Sequence, residues 1–130
     1  MMSDKKKILV IDDDPDIVTF ITTLLEDNGY ETVSAGDGEE GRLKAAAERP
    51  DLICLDITMP EKSGVKFYRE TREDAELKST PIVIVTGVAA EFQRFISTRR
   101  QVPPPDGYIQ KPIDKQALLD TISKLLGGNG

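Results

Sequence analysis

The chain predicts an α/β fold, a doubly wound parallel sheet between two helical layers, and three observations carry that prediction. Short unbroken apolar runs recur at Lys6–Ile11, Leu52–Leu55 and Pro81–Thr86; they are too short for helices and lack the alternation of a sheet wetted on one side. Segments with helical spacing of apolar residues alternate with the strands. Several runs also end in a polar side chain just before a turn: Asp12, Asp56 and Thr86. Five βα units in succession require crossovers lying over the sheet, and therefore helices on both faces.

In order, the first run ends in Asp12, Asp13 and Asp14, followed by Pro15. Asp14 is suited to cap a helix with Pro15 at its first position. Ile17, Phe20, Ile21, Leu24 and Leu25 then recur at helical spacing until Asn28-Gly29 stops the helix. Tyr30–Ala35 reads as the second strand and Gly36-Asp37-Gly38 as a turn. Glu39–Arg49 reads as the second helix, with Leu43, Ala46 and Ala47 inward and Pro50 closing the unit. After the third strand and Asp56, Val65 to about Leu77 is expected to form a polar third helix. Gly87 follows the fourth strand, and Val88, Phe92, Phe95 and Ile96 give a fourth helical segment its apolar stripe. Pro103-Pro104-Pro105 cannot continue a helix. Asp106–Gln110 reads as a short fifth strand, and Asp114 opens a last helix with Leu118, Leu119, Ile122, Leu125 and Leu126 inward.

At 130 residues the length fits one domain, with a core of about 6–126 and a frayed tail at 127–130. A net charge of -6 and a pI near 4.7 argue against direct nucleic-acid binding, which needs a basic surface. Cys54 is the lone cysteine and sits inside an apolar run, which makes core packing its expected role and a reducing compartment the expected setting. No stretch is apolar enough for a signal peptide or a membrane span, so a cytoplasmic location is expected. Histidine is absent, which removes Ser-His-Asp and Cys-His catalysis and histidine metal sites. Any chemistry must run on carboxylates, hydroxyls and lysine.

The carboxyl edge of an open α/β sheet is where ligands bind. Aligning the strand ends there brings Asp12, Asp13, Asp56, Thr86 and Lys111 to one side. Each has a commoner role taken singly: a helix cap, a strand-end hydroxyl, a turn lysine. Jointly they suggest more. Three neighbouring carboxylates repel one another, so the cluster points to a bound cation, and an all-oxygen ligand set suits Mg²⁺. Thr86 and Lys111 are donors suited to the oxygens of a phosphoryl group on Asp56, and carboxylates are accepted phosphoryl nucleophiles.

Through VIDDD, LDITMPEKSG, IVTG and YIQKPI, in this order and spacing, the chain resembles the receiver domain of two-component response regulators, from Lys6 to Leu126. The resemblance implies a flavodoxin-like sheet of order 2-1-3-4-5 with five helices. It also implies that Asp56 is the phospho-acceptor and that Asp13, Asp56 and the backbone carbonyl of Thr58 bind Mg²⁺ with help from Asp12. Thr86 and Lys111 would bind the phosphoryl oxygens, Tyr108 would be the switch aromatic, and the Lys111-Pro112 bond would be cis. Gly64 would take the tight turn after Met59-Pro60, and Gly87 would leave the site open to a donor.

The implied partners are a sensor histidine kinase or a histidine phosphotransfer protein and a downstream protein target, with a phosphorylation-dependent homodimer as a candidate assembly. The chain would catalyse only its own phosphoryl transfer and hydrolysis. Two departures from the family pattern are the QVPPP run and Lys62; the first, with Phe92, Phe95, Arg99 and Arg100, bears on the partner surface. A haloacid-dehalogenase-like phosphatase is a rival reading, since Asp12-x-Asp14 imitates its nucleophile pair, but Asp16 departs from that pattern and Asp56 would have no role. A receiver-like binding module that takes no phosphoryl group is the other.

Overall fold

The computed structural model describes residues 5–57, 63–87 and 105–127. The chain runs β1 (Lys7–Ile11), α1 (Pro15–Asp27), β2 (Glu31–Ala35), α2 (Gly38–Glu48), β3 (Leu52–Leu55), α3 (Ser63–Glu73), β4 (Ile82–Thr86), β5 (Gly107–Gln110) and, last, α4 (Lys115–Leu125). All four strand pairings are parallel, and the order is β2-β1-β3-β4-β5, as expected. The expected helical segment from Gly87 to Gln101 lies, beyond Gly87 itself, outside the described residues. So do Thr58, Met59, Pro60, Lys62, Pro103 and Pro104.

The central strands are buried on both sides, which is why their sequences read as continuous apolar runs. Leu9, Ile11, Ile53, Leu55, Ile82 and Ile84 face one layer, where they pack with Ala45 of α2 and with Phe67 and Tyr68 of α3. Ile8, Val10, Leu52, Cys54, Val83 and Val85 face the other, against Ile21 and Leu25 of α1 and Leu118 and Ile122 of α4. The two-residue period of a strand makes this division. Fully burying a side chain of this size stabilises the fold by roughly 1.5–3 kcal/mol, so the two layers hold the strand ends rigidly.

The starts of α1, α2 and α4 are set by side-chain caps. Asp14 accepts from the Asp16 N–H at 2.9 Å with Pro15 in the first turn, Asp37 accepts from Glu40 at 2.8 Å, and Asp114 accepts from Ala117 at 3.1 Å. Asn28 caps the end of α1, and Gly29 follows at φ +92°, where a side chain would be strained.

The second helix presents a different face from the expected one. Leu43 is 61% exposed and Ala46 and Ala47 are also exposed, whereas Gly38, Gly41 and Ala45 are buried. Close packing is the cause: a Cβ on Gly41 would lie 2.6 Å from Ile11 Cδ1 and 3.4 Å from Phe67 Cε1. Small residues let α2 approach the sheet and α3, and its one large apolar side chain points to solvent.

The third helix is shorter than expected and less polar in its packing. It ends at Glu73, and Asp74 then accepts from the N–H groups of Glu76 and Leu77, forming a separate turn that tucks Leu77 into the core. Arg72 secures this turn by donating to the carbonyls of Lys78 and Thr80, and it reaches Asp106 at 3.6 Å and the Tyr68 ring at 5.4 Å.

Candidate functional site

In a 2-1-3-4-5 sheet the chain changes direction between β1 and β3, so a crevice opens at their carboxyl ends. The sheet ladder extends one residue past each strand to hold the residues there. Asp12 donates its N–H to Ala35 O at 3.1 Å, Asp56 to Ile11 O at 3.0 Å and Lys111 to Thr86 O at 2.9 Å. These side chains therefore stand on rigid backbone.

The three consecutive acids after β1 part company. Asp12 turns inward and is 3% exposed, Asp13 faces solvent, and Asp14 serves as the cap of α1. Asp12 Oδ1 accepts from the Asp14 N–H at 2.9 Å, and Oδ2 accepts from the Lys111 ammonium at 2.9 Å. Lys111 Nζ also lies 3.5 Å from Asp56 Oδ2, and Asp56 is 3% exposed. One lysine thus reaches both buried carboxylates.

Burial pushes the Asp12 carboxyl above its ordinary range; the Asp14 N–H and Lys111 oppose this, and the negative charge of Asp56 adds to it. Burial alone would lower the Lys111 ammonium, but its bond to Asp12 and the charges of Asp56 and Asp12 outweigh that and raise it. Lys111 is held as a cation. The Lys111-Pro112 bond is cis, as expected.

Thr86 ends β4 and is fully buried; Tyr108, on the neighbouring β5, is half-buried and packs against the cluster beneath α2 and α3. Burial raises the Tyr108 phenol. The expected residues Asp12, Asp13, Asp56, Thr86 and Lys111 thus lie at the carboxyl edge and Tyr108 two residues in from it, opposite Ile84, while the Thr58 carbonyl falls outside the described residues.

Gly64 lies in the first turn of α3 without a left-handed φ. Its role is close approach, since a Cβ there would fall 2.5 Å from Asp56 O and 2.6 Å from Ile57 Cα. At Gly87 a Cβ would meet nothing within 4 Å among the described residues. Cys54 is 1% exposed, and burial pushes its thiol up to about 12, as befits a core residue.

The donor chemistry fits a hard divalent cation. Asp12, Asp13 and Asp56 each offer a carboxylate oxygen within 4.8 Å of the others, with no sulfur or imidazole in the set. Two of the three are buried, so an unneutralised set is costly, and Lys111 supplies only one compensating charge.

Sequence reasoning missed Gln110, whose amide bridges two backbone carbonyls at this edge, and Arg72, whose buried guanidinium braces the opposite one. Gln110 stands next to the Lys-Pro pair, the only signal it offers; Arg72 carries none.

A family model described as the response regulator receiver domain matches residues 8–123. The protein PilH of Pseudomonas aeruginosa is 34% identical over 122 residues, which cover 94% of this chain and 98% of PilH. The chemotaxis response regulator CheY4 of Vibrio cholerae superposes with a TM-score of 0.81 at 31% identity, covering 94% of this chain and 99% of that one. The receiver domain of the sensor histidine kinase PA1611 of Pseudomonas aeruginosa PAO1, solved with a magnesium ion coordinated in its active-site cleft, gives a TM-score of 0.83 at 25% identity, over 95% of this chain and 99% of that one. With a parallel 2-1-3-4-5 sheet and an acidic crevice at its carboxyl edge, the chain belongs to the response regulator receiver domain family of two-component signal transduction.

Proposed function

We propose that Asp56 accepts a phosphoryl group from a phosphohistidine of a sensor histidine kinase or histidine phosphotransfer protein, and that the acyl phosphate switches a surface read by a downstream protein. The observation that carries this reading is the reach of Lys111 to both Asp12 and Asp56 at the end of a buried strand, beside a third carboxylate. A nucleophile, a cation site and a fixed ammonium converge on a few ångströms of crevice.

In the transfer, an Asp56 carboxylate oxygen forms the new P–O bond while the P–N bond to the donor breaks, and the electron pair leaves with the imidazole, which takes up a proton from solvent. Lys111 and Thr86 donate to the phosphoryl oxygens, whose charge is spread over them in a loose transition state. Asp12, Asp13 and Asp56 would hold Mg²⁺ with the Thr58 carbonyl, and the ion, when bound, neutralises charge on the phosphoryl oxygens. The chain has no histidine of its own to act as donor. Its chemistry is that of a signalling phospho-acceptor that also hydrolyses its own acyl phosphate, not of a turnover enzyme.

Tyr108 stands on the strand beside Thr86, which supports a switch in which Thr86 moves towards the phosphoryl group and Tyr108 follows. A phosphorylation-dependent homodimer is one form the output could take. No helix among the described residues is long and apolar enough to cross a membrane, which supports a cytoplasmic setting. A phosphatase built on Asp12 is disfavoured, because it leaves the buried Asp56, which Lys111 reaches, without a role.

The test is labelling by a cognate kinase or by acetyl phosphate in the presence of Mg²⁺. The wild-type chain gains one phosphoryl group that hydroxylamine releases, as expected of an acyl phosphate, and Asp56→Asn gains none. Equal labelling of Asp56→Asn sinks the assignment, and aryl phosphate turnover that depends on Asp12 revives the phosphatase.

A further inference from the structure

The parallel register of β4 and β5 sets Gln110 opposite Thr86. Tyr108, two residues earlier, packs beneath α2 and α3, and the strand period turns Gln110 to that same face. There the Gln110 amide donates through Nε2 to the carbonyl of Gly87 at 2.7 Å and to that of Lys111 at 3.3 Å. Both partners are acceptors, so it is the NH₂ group of the amide that must face them. The ladder bond from the Lys111 N–H to Thr86 O, at 2.9 Å, closes the connection between the two strand ends.

We propose that Gln110 is a positioning residue, whose amide clamps the backbone after Thr86 to the backbone of Lys111 and so fixes the separation of the two phosphoryl-binding donors. This rests on the phospho-acceptor reading and extends it. Thr86 and Lys111 arrive from different strand ends, and donors held in place before the reaction cost no reorganisation during it. Gln110 is exposed, so replacing it opens no cavity, and a merely structural effect is small. The same two donors serve phosphoryl gain and phosphoryl loss, so the clamp acts on both rates.

The test uses the full chain with Gln110→Met, which keeps the length and lacks the donor, and Gln110→Glu, which keeps the shape and turns acceptors towards the carbonyls. With Mg²⁺ and acetyl phosphate, the rate constants for gain and loss at Asp56 both fall about three- to tenfold, the factor carried by one neutral hydrogen bond. Mg²⁺ affinity by calorimetry and the melting temperature stay at wild-type values. The ¹³C carbonyl shifts of Gly87 and Lys111 read the clamp without phosphoryl chemistry and move in both variants. Unchanged rates in a wild-type background that labels normally overturn the positioning role alone, as do unmoved carbonyl shifts or rates that fall only in step with Mg²⁺ affinity. A wild-type chain that takes no phosphoryl group overturns the phospho-acceptor reading itself, and the catalytic purpose of the clamp with it.

Discussion

The Lys111 ammonium donates to Asp12 at 2.9 Å across a sequence separation of 99 residues, and this bond joins the first strand end of the chain to the last. It is a charged bond with one partner almost wholly buried. Breaking it from the lysine side leaves Asp12 beside Asp56 with no ammonium between them.

Lys111→Met therefore destabilises the metal-free protein by about 1–3 kcal/mol at neutral pH, the usual cost of leaving a buried polar partner unmatched. The pH dependence identifies the cause. The raised Asp12 carboxyl contributes stability that is present below its ordinary value near 3.8 and is lost as pH rises through its folded value. Removing Lys111 removes an opposing influence, so this acid-side loss widens in the variant. The raised Lys111 contributes stability present below 10.5 and lost as pH climbs through its folded value, and the variant lacks that alkaline limb. Urea midpoints between pH 4 and 11 measure both limbs; parallel profiles for the two proteins rule out the pairing as the cause.

Three glycines separate close approach from mere permissiveness. Gly64→Ala drives a Cβ against backbone atoms, Asp56 O and Ile57 Cα, that cannot move without shifting the end of β3, and costs about 1–3 kcal/mol or more. At Gly41 the nearest atom is the far end of the Ile11 side chain, which can rotate, and the helix gains roughly 1 kcal/mol of propensity, so Gly41→Ala is milder. Gly87→Ala meets open space among the described residues and stays within about 0.5 kcal/mol. Thermal melts rank the three, and a Gly87→Ala loss as large as that of Gly64→Ala contradicts the order.

The three central strands were legible in the sequence because burial on both faces writes continuous apolar runs, and the candidate site in part because Asp12, Asp56 and Thr86 end such runs, whereas Lys111 follows a half-buried strand that carries none. The face of α2 was not. Hydrophobic periodicity weights large side chains, whereas Gly38, Gly41 and Ala45 pack by being small; their own spacing was the signal to follow. The end of α3 was obscured by Asp74, whose side chain competes for backbone N–H groups that a helix would otherwise use. Gln110 acts through the Gly87 carbonyl of another strand end, which no local pattern encodes, and Arg72 through the carbonyls of Lys78 and Thr80 in the turn beyond its own helix. The reversed face of α2 has a direct test: Leu43→Gln leaves stability within about 0.5 kcal/mol, while Ala45→Leu overpacks the sheet and costs about 1–3 kcal/mol. The opposite ranking in denaturant titrations restores the face that periodicity points to.

Asp13 is the exposed member of the acidic set, so its charge can be removed with little damage to packing. Without a divalent cation its carboxylate only adds repulsion towards Asp12 and Asp56, and Asp13→Asn is expected to melt at the same temperature as wild type or slightly above it. With Mg²⁺ the order reverses. A ligand that binds only the folded state adds about 1.4 kcal/mol for each tenfold rise in its concentration above Kd, and Asp13→Asn, with a neutral amide oxygen in place of one of three carboxylates, needs far more Mg²⁺ to gain the same increment. Plotted against Mg²⁺ at constant ionic strength, the two melting curves therefore cross. A crossing cannot come from general screening, which weakens the Asp13 repulsion and draws the curves together without reversing their order; curves that never cross place the cation elsewhere and leave the acidic set balanced by Lys111 alone.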